Sequence, residues 1–170
     1  MIPEDEIVPQ VVHTFKLLLA GNPSTINVQD KGRTVLHYAV ASHAGCRSSH
    51  SNLAIHFLCE IGADAGLKDC KGQTVLHVVA FDSVRGDPID TDLIDLLVAH
   101  GANRNHAHKD GITALHITAR NLRQVKAARF LVSRGANVGA KKSKGEHTPP
   151  WRKLRNEIIG VLQEAAGKAV

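Results

Sequence analysis

Apolar residues recur at helical spacing along much of this chain of 170 residues, and such stretches end at a glycine. Side chains three and four positions apart share one face of a helix, so the spacing predicts helices with one buried face. Glycine just after the last apolar position is a common C-terminal cap. The clearest stretches are Leu93, Ile94, Leu96, Leu97 and Val98 before Gly101, and Val125, Ala128, Phe130, Leu131 and Val132 before Gly135.

Two short motifs recur in a fixed register. A Gly-x-Thr-x-Leu-His segment begins at Gly32, Gly72 and Gly111, and a degenerate copy runs from Gly145 to Trp151. A Gly-Ala-Asp/Asn motif stands ten residues before the last three of these glycines, at Gly62, Gly101 and Gly135. Self-similarity of this kind predicts stacked structural units.

Each unit is predicted to be a turn, a short helix, a second helix closed by glycine, and a hairpin-like excursion to the next unit. Thr34, Thr74 and Thr113 are suited to cap the first helix, because a threonine hydroxyl accepts a bond from a free amide about three residues on. One unit cannot bury its own apolar face. Stacking of neighbouring units would bury a continuous core.

The two motifs together resemble the ankyrin repeat, whose period is about 33 residues and whose mark is T-P-L-H-x-A. The resemblance covers roughly residues 10 to 166 and implies an all-α, ankyrin-repeat solenoid of stacked helix-turn-helix units joined by hairpin-like loops. We expect a single domain, 1–170, with a partial or capping repeat at 1–29, repeats at 30–68, 69–107 and 108–141, and a capping repeat at 142–170.

The chain departs from the family pattern in two ways. Val35, Val75 and Ala114 stand where the family usually has proline, which would pre-set the helix start. Roughly six to seven residues are inserted between the helices of each of the first two repeats, judged against the usual period. At the ends, Val11 to Ala20 resembles a second helix without a full first helix, and Thr148 opens a shortened unit that ends in Glu157 to Ala165.

The recurring histidines His37, His77 and His116 are the obvious catalytic candidates. The resemblance implies instead that each is a structural residue that bonds to the neighbouring turn, and equivalent positions in successive repeats do not converge on one substrate. The chain has no phosphate-binding GxxxxGK[ST], no GxSxG and no HExxH. We therefore expect no catalysis.

The inserts at 41–52 and 81–92 are the places where other chemistry could lie. His43, Cys46 and His50 have a spacing that could suit zinc, but no paired CxxC is present, so we expect a polar loop without a metal. The second insert lacks the alternating oxygen ligands of a calcium loop. We expect an acidic, solvated turn in which Thr91 or Asp92 caps the following helix. Its acidic residues are Asp82, Asp87, Asp90 and Asp92, near Asp95.

Charge and cysteine content bear on partners and compartment. Residues 1–100 hold 7 Lys+Arg and 12 Asp+Glu, a balance of −5, whereas residues 101–170 hold 14 and 4, a balance of +10. Three cysteines at unpatterned spacing favour a reducing compartment, cytoplasmic or nuclear. The acidic start, Glu4 to Glu6, does not resemble a secretory signal, and no apolar run approaches the ~20 residues that span a bilayer.

Resemblance to ankyrin domains places partner binding in a concave groove formed by the first helices and the hairpin tips. The expected groove residues are Tyr38, Val78, Phe81, Ile117, Arg120, Lys142, Lys144, Arg152 and Arg155, and the expected tip residues are Lys68, Lys71, His108 and Lys109. His106 and His108 are expected to be exposed polar residues of one hairpin. The resemblance also implies that Asn105 is a candidate for hydroxylation.

We therefore predict a protein-interaction module or scaffold without a cofactor, whose partner is another protein with an acidic segment, and which has no membrane partner. Aromatic and arginine side chains in such a groove are typical of binding hot spots. Two alternatives remain open: binding of a polyanion or nucleic acid through the basic C-terminal half, and a small-molecule or metal-dependent activity in the enlarged loops 41–52 and 81–92.

Overall fold

The described part of the chain is helical. A computed structural model describes residues 23–45, 49–82, 88–121 and 124–140. Within these ranges the only β-type pairings are isolated bridges, Asp30 with Arg33 and Ala107 with Thr113. The elements are a 3-10 helix at Pro23–Asn27, α1 at Val35–Gly45, α2 at Ser49–Glu60, α3 at Val75–Asp82, α4 at Thr91–Ala99, α5 at Ala114–Thr118 and α6 at Val125–Ser133.

The helices form two layers. The first helices of the repeats, α1, α3 and α5, pack in sequence, and the second helices, α2, α4 and α6, pack in sequence beside them. Apolar side chains from both layers form one continuous core that includes Leu36, Ile55, Val75, Leu97 and Leu131. Because each helix packs against the equivalent helix of the next repeat, neighbouring repeats supply the burial that a single unit lacks. The predicted all-α solenoid is confirmed.

The first helices begin directly after the recurring threonines, at Val35, Val75 and Ala114. Thr113 caps α5 through its hydroxyl, which accepts the His116 amide at 3.3 Å. The absence of proline therefore does not change where the first helices begin. The threonine cap sets the first residue of the helix, and the fixed φ of a proline would only reinforce it.

The first insert is largely helical, which differs from the expected polar loop. Helix α1 continues to Gly45 and α2 begins at Ser49, so only residues 46–48 of the insert lie outside the described helices. Val40 is fully buried in the core and Ala39 and Ala41 pack against it. Alanine is the strongest helix former, so Ala39 and Ala41 favour continuation of α1 into the insert.

The cap of α4 also differs from expectation. Asp90, rather than Thr91 or Asp92, is the N-cap: its backbone is extended, with φ −70° and ψ 128°, and its side chain accepts the Asp92 amide at 3.1 Å. Thr91 is already the first residue of the helix. Val11 to Ala20, Thr148 and Glu157 to Ala165, for which terminal units are expected, lie outside the described residues.

Candidate functional site

Two of the three recurring histidines, His37 and His77, are buried and join one repeat to the next. Burial of His37 and His77 is complete. His37 Nδ1 lies 3.3 Å from the Thr34 amide and 2.8 Å from its hydroxyl, and its Nε2 donates to Gln73 O at 3.3 Å. His77 repeats the arrangement, with Nε2 3.0 Å from Ile112 O. A carbonyl can only accept, so Nε2 carries a proton, and the Thr34 and Thr74 amides donate to Nδ1, so each ring is the neutral tautomer.

This burial has an electrostatic consequence. Burial lowers the pKa of His77 to about 4, against the bond to Ile112 O, which raises it. The pKa of His37 is lowered for the same reason. Neutral imidazoles whose two nitrogens are already bonded inside the stack have no face left for a substrate, so these groups hold the repeats together.

The predicted groove residues divide into accessible and buried groups. Tyr38 and Phe81 are 43% and 40% exposed, and Arg120 is also exposed. Val78 and Ile117 are only 3% and 5% exposed, so these two predicted groove residues are buried and offer little surface to a partner. Because α3 packs against both α1 and α5, Val78 is enclosed between neighbouring first helices, whereas Ile117 lies on α5, which packs against α3 and α6.

The accessible aromatic side chains each stand beside a hairpin residue. The Arg33 guanidinium lies 5.9 Å from the centroid of the Tyr38 ring, within cation–π range. The Phe81 ring stacks on His108 with centroids 6.4 Å apart and planes at 24°. The first helices α1 and α3 therefore carry two exposed aromatic surfaces, each beside a hairpin residue.

The hairpin tips carry the expected lysines and one buried histidine. Lys68, Lys71 and Lys109 are exposed, as tip residues are expected to be. His108 is only 8% exposed, which corrects the expectation of an exposed polar residue. Its ring lies against His77 and Phe81, and its Nδ1 accepts the Asp110 amide at 3.0 Å. The positions of Lys142, Lys144, Arg152 and Arg155 fall outside the described residues.

Asparagines of two hairpins make a bridge that sequence reasoning missed. Asn105 Nδ2 donates to Gly135 O at 3.4 Å, and its Oδ1 accepts the Asn137 amide at 2.7 Å. Asn27 makes the same pair of bonds to Gly62 O and the Asp64 amide, at 3.1 and 2.8 Å. The signal in the sequence was an asparagine at nearly the same place before two of the Gly-x-Thr-x-Leu-His segments, since Asn27 stands five residues before Gly32 and Asn105 six residues before Gly111.

Glycine replaces asparagine at the corresponding position of the hairpin between them. A Cβ on Gly66 would stand 2.7 Å from Gly101 O, so a side chain does not fit there without a shift of the backbone. The adjacent Ala65 amide instead bonds directly to His100 O at 3.0 Å. Two hairpins therefore bond to the next repeat through an asparagine side chain, and the hairpin between them does so through a backbone amide.

No metal site is evident in the described ranges, where no three His, Cys, Asp or Glu side chains are grouped to hold an ion. The side chains of His43, Cys46 and His50, which raised the zinc alternative, lie outside the described part. Burial raises the pKa of the Cys59 thiol to about 11, which opposes the thiolate form that zinc binds. Across 23–45, 49–82, 88–121 and 124–140, no helix is long and apolar enough to cross a membrane.

Comparison with known proteins places these features in a family. A family model of ankyrin repeats, in three copies, matches residues 43–142. The chain is 31% identical over 141 residues to the B-cell lymphoma 3 protein homolog of Mus musculus. It is 29% identical over 162 residues to the intracellular phospholipase A2 of Caenorhabditis elegans.

These two alignments cover 82% and 89% of this chain but only 28% and 14% of the relatives, so the chain spans less than a third of either protein. What the relatives share with this chain is therefore a repeat region and not a whole protein. With the family model matched over residues 43–142, and with layered helix pairs joined by bonded histidines, the chain belongs to the ankyrin repeat family.

Proposed function

We propose that this chain binds a partner protein on the concave side of its repeat stack and performs no catalysis. The observation that carries the proposal is the pair of aromatic side chains, Tyr38 and Phe81, left 43% and 40% exposed beside the hairpins. Large exposed aromatic side chains on a rigid support are typical of interface hot spots. Membership of the ankyrin repeat family and the similarity to the B-cell lymphoma 3 protein homolog support an interaction module.

The charge of the hairpin tips favours an acidic partner segment. The exposed cations Lys31, Lys68, Lys71 and Lys109 outnumber the exposed carboxylates Asp30 and Asp110. Asp69 is buried, and its Oδ1 accepts the amides of Lys71 and Gln73, each at 2.8 Å, so it serves the turn. Complementary charge would orient the partner and speed its encounter, with Arg120 as a further contact on α5.

We also propose that four basic residues outside the described part contribute to binding of the acidic segment: Lys142, Lys144, Arg152 and Arg155. Free Cys59 and Cys70 suit a reducing compartment, cytoplasmic or nuclear. The relation to an intracellular phospholipase A2 covers 14% of that protein, and its activity is not transferred to this chain.

The test is a comparison of binding by matched variants. The full chain is used to isolate partners from a cell lysate, and recovered proteins are identified by mass spectrometry. The concave variants Tyr38→Ala, Phe81→Ala and Arg120→Glu are compared with two controls that alter exposed residues of the second helices, Leu53→Ala on α2 and Lys126→Glu on α6. We expect the concave variants to lose partners that the controls retain.

Two results would overturn the proposal. Equal recovery with concave and control variants would place the binding surface elsewhere on the molecule. Binding of unrelated DNA or RNA sequences that falls steeply with salt, while no protein depends on Tyr38 or Phe81, would favour the polyanion alternative, since counterion release gives that dependence. Circular dichroism of each variant ensures that a loss of binding is not a loss of fold.

A further inference from the structure

Two hairpins connect successive repeats by the same contact. Hairpin 63–74 meets α1 through His37, whose Nε2 donates to Gln73 O at 3.3 Å, and we term this contact the first joint. Hairpin 102–113 meets α3 through His77, whose Nε2 donates to a hairpin carbonyl at 3.0 Å, and we term this contact the second joint. The chain therefore contains an internal comparison between two equivalent contacts.

The joints differ at one matching position. The amides of Asp69 and His108 each bond to the carbonyl of the residue four positions further along, at 2.8 and 3.0 Å. In both turns the side chain at this position accepts a hydrogen bond from the backbone amide two residues further along. Asp69 Oδ1 accepts from Lys71 N at 2.8 Å, and His108 Nδ1 accepts from Asp110 N at 3.0 Å. A carboxylate keeps this acceptor at neutral and weakly acidic pH. An imidazole loses it when Nδ1 takes a proton.

His108 also belongs to a cluster of three imidazoles. The centroid of the His77 ring lies 5.6 Å from that of His108 and 5.7 Å from that of His106. His106 is held by a bond from Nε2 to Gly72 O at 2.9 Å. His77 is fully buried, so a proton on either neighbour brings a positive charge close to a ring that water cannot screen.

The other charged groups do not remove this difference. At the first joint, Asp69 favours the protonated form of His37, while Arg33 opposes it. At the second joint, Asp69 also favours protonation of His77, but His108 and His106 both oppose it. Asp110 Oδ2 lies 3.8 Å from His108 Nδ1 on an exposed side chain, and neighbouring Lys109 is exposed to solvent.

Among the described residues of α4 and α5, which also pack on α3, the titratable groups nearest to this contact are engaged with other partners. His116 of α5 directs Nδ1 to the Thr113 hydroxyl at 2.7 Å, and Asp95 of α4 pairs with Arg134 of α6. The groups that act on His77 electrostatically are His108, His106 and Asp69.

We propose that weak acid opens the second joint before the first, because protonation around His77 removes the acceptor at His108 and gathers like charges that the first joint lacks. Opening would separate hairpin 102–113 from α3 and release the stacking of His108 on Phe81, whose centroids are 6.4 Å apart. The orientation of one exposed aromatic surface would thereby depend on pH.

Amide hydrogen exchange of the full chain at pH 7.5 and pH 5.5, corrected for the intrinsic exchange rate, tests this inference without a binding partner. Burial of His77 by itself, which lowers its pKa from 6.5 to about 4, gives about a tenfold loss of protection between these two pH values. Loss of the His108 acceptor adds to this, so we expect a loss of more than about tenfold in peptides from 102–113 and a smaller one in peptides from 63–74.

Two variants and one control isolate the cause. His108→Asp installs the residue found at the first joint, and His108→Asn keeps an acceptor without a titratable ring. Both should reduce the acid loss in 102–113 to the roughly tenfold share that burial of His77 causes, closer to the loss in 63–74, whereas His56→Gln, at an exposed position of α2, should leave it unchanged. Equal acid loss at both joints of the unaltered chain, or an undiminished loss in both His108 variants, would overturn the inference.

Discussion

The buried side chain of Gln124 accepts a hydrogen bond from the backbone amide of Ile89 at 2.8 Å, across 35 positions of the sequence. Gln124 is fully buried where α6 begins, and Ile89 is 7% exposed just before α4 begins. A backbone amide in such surroundings needs a partner, and the second insert provides none of its own among its described residues. One side chain therefore fixes the end of the enlarged loop to the next repeat.

We expect Gln124→Met, which keeps the volume and removes the acceptor, to lower the free energy of unfolding by about 1–3 kcal/mol, since the Ile89 amide is left buried without this bond. Urea unfolding followed by circular dichroism measures the change. Lys126→Ala, at an exposed position of the same helix, should change it by less than about 0.5 kcal/mol. A Gln124→Met chain as stable as the control would contradict this role.

The asparagine bridges predict a parallel pair of effects. Asn27→Ala and Asn105→Ala each remove one donor and one acceptor between repeats, and each should lower the free energy of unfolding by about 1 kcal/mol. Asn105→Asp keeps the acceptor for Asn137 but loses the donor to Gly135, so its effect should be smaller than that of Asn105→Ala. The reverse order in chemical denaturation would show that the donor dominates.

Hydroxylation of Asn105, which the family resemblance implies, would have to act on this bridged side chain. The bonds to Gly135 and Asn137 hold the amide in place, so a modifying enzyme would require local opening of the hairpin. Mass spectrometry of the chain isolated from cells tests whether Asn105 carries the extra oxygen. If chains isolated from cells that contain an asparagine hydroxylase lack the extra oxygen on Asn105, this modification is contradicted.

Stability should fall as the pH falls below about 6.5. The folded pKa of His77, about 4, lies below its unfolded value of 6.5, so the unfolded chain binds a proton that the folded chain does not. This contribution to stability is complete above pH 6.5 and is lost progressively towards pH 4, with a total of about 3 kcal/mol. His37, whose pKa is also lowered, acts in the same direction.

Urea unfolding at pH 7.5, 6.5 and 5.5 measures this dependence. His77→Gln should be less stable than the unaltered chain at pH 7.5, because its two bonds are disturbed, but its stability should depend less on pH. His56→Gln should retain the full dependence, since that ring is exposed. An identical slope in all three proteins would rule out His77 as the titrating group.

The two described cysteines should differ in reactivity. Cys59 is 1% exposed, and burial raises the pKa of its thiol from 9.0 to about 11, which lowers the thiolate fraction about a hundredfold. Cys70 is exposed on a hairpin. In a Cys46→Ser chain, an aromatic disulfide reagent should therefore modify one thiol quickly and the second only after denaturation. Rapid modification of both thiols in the folded chain would contradict the buried position of Cys59.

The sequence by itself determined the repeat, its register and the helix starts, because these depend on local chemistry. A threonine caps the helix that follows it, and Gly62, Gly101 and Gly135 adopt the positive φ values, 98°, 101° and 86°, that close a helix. Such signals need no knowledge of distant residues. They also carried the family assignment.

Only the tertiary structure decided which side chains are accessible and which residues meet across repeats. Val78 and Ile117 share with Tyr38 the same motif position, yet both are buried in the stack while Tyr38 remains exposed. The Gln124 bond and the imidazole cluster join residues that are 29 to 35 positions apart, and no local pattern specifies such contacts. Burial and long-range contacts are properties of the stack, so they follow from packing and not from the motif.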